Sequence, residues 1–278
     1  MARFQRFRRL LIPLLAGLIF GFNSCSTRAF FYAPSKELTY HPDTIQQTVT
    51  DIYFRTGDSL LLHGWMMKPR SGKIIGTILH FHGNGGNISY HYAFIEPLVQ
   101  AGFQCITWDY EGFGTSPGIP SQEHVLRDCL AALDYTRKRE DVKGTKLILF
   151  GQSLGAFLAL VTAAQDQQGL TAVVAEGAFT GHRDIAAYIG WHRFFAPSLL
   201  TRSLVRSKYD AKKVVDRITI PKLFIHSTED RTCPFYMGQR LFKKAKAPKE
   251  FWVIKGKHIC AALLYKDEFV NHFLKLLE

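Results

Sequence analysis

The chain has 278 residues, 47% of them hydrophobic and 21% charged, which allows a sizeable buried core and excludes an intrinsically disordered polymer. A formal net charge of +12 raises the question of a nucleic-acid partner, but Arg3, Arg6, Arg8 and Arg9 lie in a segment expected to be removed, and no nucleic-acid-binding module is recognisable in the remainder. The basic residues of two later helical regions, among them Arg202, Arg206, Lys208, Lys212, Lys213, Lys243 and Lys244, read as a solvated face or as attraction to an anionic membrane surface.

At the N-terminus, Arg3 to Arg9 make a positive start, Leu10 to Phe22 an apolar run and Asn23-Ser24-Cys25-Ser26 a small, polar exit, the layout of a signal peptide over residues 1–24. The apolar run falls short of the roughly 18 to 20 residues that span a bilayer comfortably. The cysteine at the exit resembles the lipid-attachment site of bacterial lipoproteins. That resemblance implies a lipid on Cys25, a linker over residues 25–43 and tethering to a membrane of the bacterial cell envelope. A plain secretory or periplasmic route and a single-pass N-terminal anchor stay open on the same residues.

From residue 44 to the C-terminus the chain reads as one domain. Ile45 to Arg55 alternates apolar and polar residues, Thr56-Gly57-Asp58 turns the chain, and Leu60 to Met67 returns, which predicts an antiparallel hairpin at a sheet edge. Ile74 to Phe81 is a buried strand that opens into His82-Gly83-Asn84-Gly85-Gly86-Asn87. Helical periodicity covers Ser89 to Ala101, Phe103 to Trp108 is a strand, and a glycine-rich loop follows from Asp109 to Gly118. Ser121 caps a helix that runs to about Lys138. Lys146 to Phe150 is a strand, Leu154 to Ala164 a helix, and Ala172 to Ala175, Leu223 to His226 and Phe251 to Ile254 are strands. Helices are predicted over Tyr236 to Lys246 and Leu263 to Leu277. This alternation predicts a mostly parallel twisted sheet with helices on both faces. Between about residues 180 and 215 the strand rhythm stops and Trp191, Phe194, Phe195, Pro197, Leu199 and Leu200 cluster, which reads as a small cap whose apolar residues line an acyl-sized pocket, or as a packed helical hairpin without substrate contact.

The chemistry centres on Gly151-Gln152-Ser153-Leu154-Gly155, where a buried strand meets a helix. This is the G-x-S-x-G pattern of a nucleophile elbow, in which glycines on either side of the serine spare clashes of side chain with backbone. A serine hydroxyl needs a base, itself oriented by a carboxylate. Asp230 stands in the loop after one strand and His258 in the loop after the last, so Ser153, Asp230 and His258 follow in serine, acid, histidine order. Glu176, also at a strand end, is the rival acid. An oxyanion would be held by the backbone N–H of Leu154 and, from the first glycine loop, of Asn84. His80 and His82 sit two apart on a strand without a third ligand at a convincing spacing, and the glycine loops lack phosphate-loop and dinucleotide fingerprints, so neither metal nor cofactor is expected. With Cys25 carrying lipid, four cysteines remain: Cys105 and Cys129 read as buried thiols, while Cys233 and Cys260 lie on loops close enough to be considered for a disulfide.

Together, His82-Gly-Asn-Gly-Gly-Asn87, Asp109-Tyr-Glu-Gly-Phe-Gly-Thr-Ser116, the elbow, Asp230-Arg-Thr-Cys-Pro234 and Gly256-Lys-His258 resemble the α/β-hydrolase superfamily. Within it they resemble the branch of monoacylglycerol lipases, acyl-protein thioesterase-like enzymes and serine aminopeptidase-like hydrolases. The resemblance implies an α/β-hydrolase fold and a serine hydrolase acting on a small acyl ester or lipid. Peptidase or amidase action, and a catalytically silent lipoprotein that binds a lipid or a partner, are the competing readings.

Overall fold

A computed structural model describes residues 31–41, 45 and 47–278. The signal segment over 1–24 and Cys25 lie outside the described residues. Among those described, no helix is long and apolar enough to cross a membrane.

Eight strands form one sheet in the order β10-β9-β8-β7-β4-β6-β3-β2. The hairpin of β2 (Thr48–Arg55) and β3 (Leu61–Lys68) is antiparallel, and β3 runs antiparallel to β6 (Phe103–Trp108). From β6 onward all neighbours are parallel: β4 (Gly76–Phe81), β7 (Leu147–Gln152), β8 (Leu170–Glu176), β9 (Lys222–Ser227) and β10 (Lys249–Ile254). Every residue of β4, β6 and β7 is buried, as their unbroken apolar runs require of strands covered on both faces. The mostly parallel sheet expected from the alternating elements, and the α/β-hydrolase fold that the resemblance implies, are observed.

Each face of the sheet carries its own apolar core. On one side lie α1 (Ile88–Gln100) and the C-terminal α9 (Lys266–Lys275), with Ile95, Leu98, Val99, Phe269 and Phe273 packed on Phe103, Ile148 and Phe150. On the other lie α2 (Gln122–Lys138), α3 (Leu154–Gln165) and α7 (Phe235–Lys244), with Leu133, Phe157, Leu160 and Leu241 against Leu79, Leu149 and Phe224. The predicted cap holds, with the Ser121 hydroxyl accepting from the His124 N–H at 3.2 Å, and Asn87 caps α1, its carboxamide oxygen accepting from the Ser89 N–H at 3.0 Å. The last predicted helix is broken at Tyr265 into α8 (Ala261–Leu264) and α9.

α3 is nearly all buried, and it starts directly against the end of β7 with no intervening loop. A β-carbon on Gly151 would strike the Gly155 carbonyl, and one on Gly155 would be driven into the Phe81 carbonyl oxygen on the next strand. Alanine normally gains about 1 kcal/mol over glycine in a helix. Here the clash with fixed backbone outweighs that gain: Gly155→Ala is expected to cost more than about 3 kcal/mol, read as a drop in the urea midpoint.

Two expectations change. Residues 31–41, assigned to the linker, are packed on the domain: Phe31 and Tyr32 are buried in the core, and β1 (Ala33–Pro34) pairs in parallel with β5 (Gly85–Gly86). An aromatic pair has more to gain from the core than from water. The cap consists of α4 (His182–Phe194) and α5 (Ser198–Leu204), followed by the short α6 (Ala211–Val214). Its Trp191, Phe194, Phe195, Leu199 and Leu200 do not line an enclosed pocket, because all five are exposed. The cap is braced by Asp184, whose carboxylate accepts from Lys212 at 2.6 Å, Arg202 at 2.7 Å and Thr180 at 2.6 Å. All four described cysteines are free thiols, so Cys233 and Cys260 are not bridged.

Candidate active site

Ser153 occupies the junction of β7 and α3 at φ 56°, ψ −114°, a left-handed conformation that L-residues rarely adopt. Its N–H donates to the Glu176 carbonyl at 2.8 Å, which fixes the turn against the end of β8. Leu154 is the first residue of α3, so its N–H has no partner within the helix and lies beside the serine.

The loops after β9 and β10 meet beside this turn. The Glu229 carboxylate accepts from the Gly256 N–H at 3.1 Å, and the Thr228 N–H donates to the Ile254 carbonyl at 3.0 Å. His258 Nδ1 lies 2.6 Å from Asp230 Oδ2. The other carboxylate oxygen, Oδ1, accepts the N–H groups of Thr232 and Cys233, both at 2.8 Å. With a carboxylate at 2.6 Å, the Nδ1 proton is retained and Nε2 is left as an acceptor. Nε2 is buried and has no hydrogen-bond partner among the described residues. The Cys233 thiol interacts with the Ser153 side chain. A β-carbon on Gly177, the residue after Glu176, would come within 2.9 Å of His258 Cε1, so a side chain there would displace the imidazole. The three residues singled out in the sequence thus converge on one edge of the sheet.

Glu176 has a different task from the one considered for it. Its carboxylate accepts from Gln152 Nε2 at 2.7 Å and from the Ala261 N–H at 2.9 Å. Gln152 in turn meets His80 at 3.3 Å, and His80 meets the Thr107 hydroxyl at 3.0 Å. A buried polar row therefore crosses β6, β4, β7 and β8 beneath the serine and ends on the helix that follows His258. Burial pushes the Glu176 carboxyl up from its ordinary range. His80 thus has a structural partner on each ring nitrogen, and the His82 ring lies 2.7 Å from the Gly83 carbonyl, so both histidines considered as ligands are engaged with protein groups.

The glycine loop around Asn84 is held from above by the segment that follows residue 30. The Ala33 N–H donates to the Asn84 side-chain oxygen at 3.0 Å and reaches its carbonyl at 3.3 Å, and the Ser35 N–H donates to the Gly86 carbonyl at 2.9 Å. Neither this clamp nor the Gln152–Glu176 row was read from the sequence. The buried Phe31-Tyr32 pair was the available signal for the first. Polar residues in all-apolar strands, His80, Thr107 and Gln152, were the signal for the second.

Burial holds several histidines neutral: His80 is lowered to about 3 and His182 to about 4, while His91 and His226 are lowered too. In the unfolded chain each takes up a proton near pH 6.5, so acidification favours unfolding. Asp128, raised to about 7 by burial, and Glu176 act in the opposite direction, because the folded chain holds their protons where the unfolded one has lost them. The lowered histidines outnumber the raised carboxyls, so stability is expected to fall as pH drops below about 6.5, measured as a downward shift of the urea midpoint.

The family described as "Serine aminopeptidase, S33" matches residues 72–201, which include Ser153 but end before Asp230 and His258. A Salmonella typhi protein, YfhR, is 32% identical over 263 residues, covering 87% of this chain and 86% of that one. The "Alpha/beta hydrolase domain-containing protein WAV2" of Arabidopsis thaliana is 29% identical over 222 residues, 77% of this chain and 72% of that one. Among solved structures, the Pyrococcus furiosus esterase Pf2001 superposes with a TM-score of 0.72 at 18% identity, over 89% of this chain and 96% of that one. Acetyl xylan esterase 1 from Thermoanaerobacterium does so with a TM-score of 0.65 at 19% identity, over 88% and 89%. With the α/β-hydrolase fold shared with the Pf2001 esterase over 89% of the chain and YfhR aligned along most of both chains, the chain belongs to the family of the YfhR proteins.

Proposed function

We propose that the chain is a membrane-tethered serine hydrolase that cleaves carboxylic esters or thioesters of small acyl groups or lipids through an acyl-enzyme. The single observation that carries the reading is the Asp230–His258 contact at 2.6 Å, which leaves His258 Nε2 buried and unpartnered among the described residues. Ser153 Oγ attacks the acyl carbonyl carbon while His258 Nε2 takes its proton. The negative charge that develops on the carbonyl oxygen is met by the N–H groups of Leu154 and Asn84. The imidazolium, held by Asp230, then returns the proton to the departing alkoxide or thiolate, and the carbonyl re-forms as an ester to Ser153. Water repeats the sequence: His258 removes its proton, the hydroxide adds to the acyl carbon, and the serine leaves reprotonated with the free acid as product. Tethering is assigned to a lipid on Cys25.

The family description naming a serine aminopeptidase favours a second reading, amide cleavage by the same residues. One panel separates the two: an ester, a thioester and an anilide sharing one acyl group, compared by kcat/KM. Ester and thioester turnover at least about 100-fold above the anilide supports the proposal. Anilide turnover equal to or above the ester transfers the assignment to the peptidase reading.

A further inference from the structure

The cap carries an apolar apex that the catalytic reading does not use. Where α4 turns into α5, Phe195 is 83% exposed, Leu199 82%, Phe194 68% and Trp191 52%, and Leu200 joins them. No residue of α5 is buried. A seven-residue helix has too few hydrogen bonds to hold itself together in water, and normally owes its persistence to an apolar face covered by something else. The hairpin is nonetheless a defined shape: Gly190 and Thr201 sit in direct contact where the helices cross, Phe195 ends α4 in the left-handed conformation at φ 52°, and Asp184 ties both helices to Lys212. The apex is therefore presented on a braced support. It stands over the C-terminal edge of the sheet, because the Tyr188 hydroxyl of α4 donates to the carbonyl of Arg231, next to Asp230, at 3.2 Å.

Charge identifies what fits this apex. Residues 182–213 hold seven lysines and arginines, at 183, 193, 202, 206, 208, 212 and 213, and only two carboxylates, Asp184 and Asp210. Both carboxylates are already matched, Asp184 by Arg202 and Lys212, Asp210 by Lys213 at 3.2 Å. Arg193 and Arg206 are exposed, and among the described residues neither has a carboxylate partner. Aromatic and leucine side chains at a tip with unpaired arginines behind them match the two layers of an anionic bilayer surface, with acyl chains and interfacial region for the ring groups and headgroups for the guanidinium groups. A second protein copy presenting the same basic face would be repelled by it.

We propose that the apex formed by Trp191, Phe194, Phe195, Leu199 and Leu200 inserts into the surface of an anionic phospholipid bilayer, which brings the serine edge of the sheet to the membrane independently of any lipid at the N-terminus. The inference deepens the proposed function by naming where substrate is met.

Trp191 makes the test direct. Trp65 and Trp108 are buried in the core and Trp252 is packed between Tyr265 and His272, so Trp191 is the tryptophan that an inserting tip would carry into lipid. The full chain is mixed with vesicles of brominated phosphatidylcholine, with or without about one third phosphatidylglycerol, and the Trp191 signal is taken as wild type minus Trp191→Phe. Quenching of about half or more on the anionic vesicles and little on the neutral ones is the expected result. Phe194→Ser combined with Phe195→Ser and Leu199→Ser should abolish the difference, and Arg193→Glu with Arg206→Glu should weaken apex insertion at least about tenfold in lipid concentration. Turnover of a short soluble ester should be unchanged in all of these variants, so failure of the hydrolase reading shows separately as a wild type without turnover. Unquenched Trp191 on chain that co-sediments with the vesicles overturns the proposal, as does equal quenching on both vesicle types. A concentration-dependent Trp191 shift without lipid also overturns it, by showing that a second copy covers the apex.

Discussion

Replacing Ser153 with glycine is expected to abolish ester turnover and raise stability together. Loss of the nucleophile should lower kcat by about 10⁶-fold, leaving only what binding and the two amides provide. The stability effect follows from backbone geometry. At φ 56°, ψ −114° a residue with a β-carbon carries strain of roughly 1 to 3 kcal/mol, whereas glycine's greater freedom when unfolded costs about 0.5 to 1 kcal/mol. Strain relief wins by about 1 kcal/mol, which in a chain of this size is a rise of about 2 °C in Tm. Ser153→Ala separates the two effects, since it removes the hydroxyl and keeps the β-carbon. It should be as inactive as the glycine variant and melt within about 1 °C of wild type. Calorimetry and initial rates on the same three preparations check both halves, and equal melting temperatures for glycine and alanine variants would remove strain from the account.

The second large effect is expected from Asp230→Asn, at about 10⁴-fold in kcat with the fold intact. The direction is set by the neighbours. Oδ1 receives two backbone N–H groups, from Thr232 and Cys233, so an asparagine there must keep its carbonyl oxygen on that side. Its NH₂ then faces His258, in the place where Oδ2 now stands at 2.6 Å. An amide donor facing Nδ1 forces the ring proton onto Nε2, and an imidazole protonated there cannot accept from the serine. Asp230→Asn should therefore show normal substrate KM, a collapsed kcat and an unchanged urea midpoint. A loss below about tenfold would mean that the tautomer of His258 is set by something other than Asp230.

Much of this arrangement is legible in the sequence. Buried parallel strands announce themselves as continuous apolar runs, and the glycines flanking Ser153 announce a turn too tight for side chains, so β4, β6, β7 and the elbow fell where the residues put them. Asp230 and His258 were readable because each follows a strand, and strands of a parallel sheet end on one edge. What the sequence hid depends on partners far away along the chain. Chain order favours Asp230 over Glu176 as the acid, but what Glu176 does instead shows only when it is found bonded to Gln152 and to the Ala261 N–H. Residues 31–41 look polar on average and pack because two aromatic rings reach a core that draws on segments as distant as His182, which meets the Phe31 ring edge-on. The cap was recognised by composition, but composition does not give direction, and its large apolar side chains turned out to face away from the domain.

The most direct measurement is to react the folded full-length chain with a fluorophosphonate and locate the phosphonyl group by peptide mass spectrometry. One adduct per chain on the peptide carrying Ser153, lost in Ser153→Ala and slowed by orders of magnitude in Asp230→Asn, is the predicted result. A stoichiometric adduct on another side chain, or no adduct on a preparation that turns over esters, would contradict the assignment of Ser153 as the nucleophile.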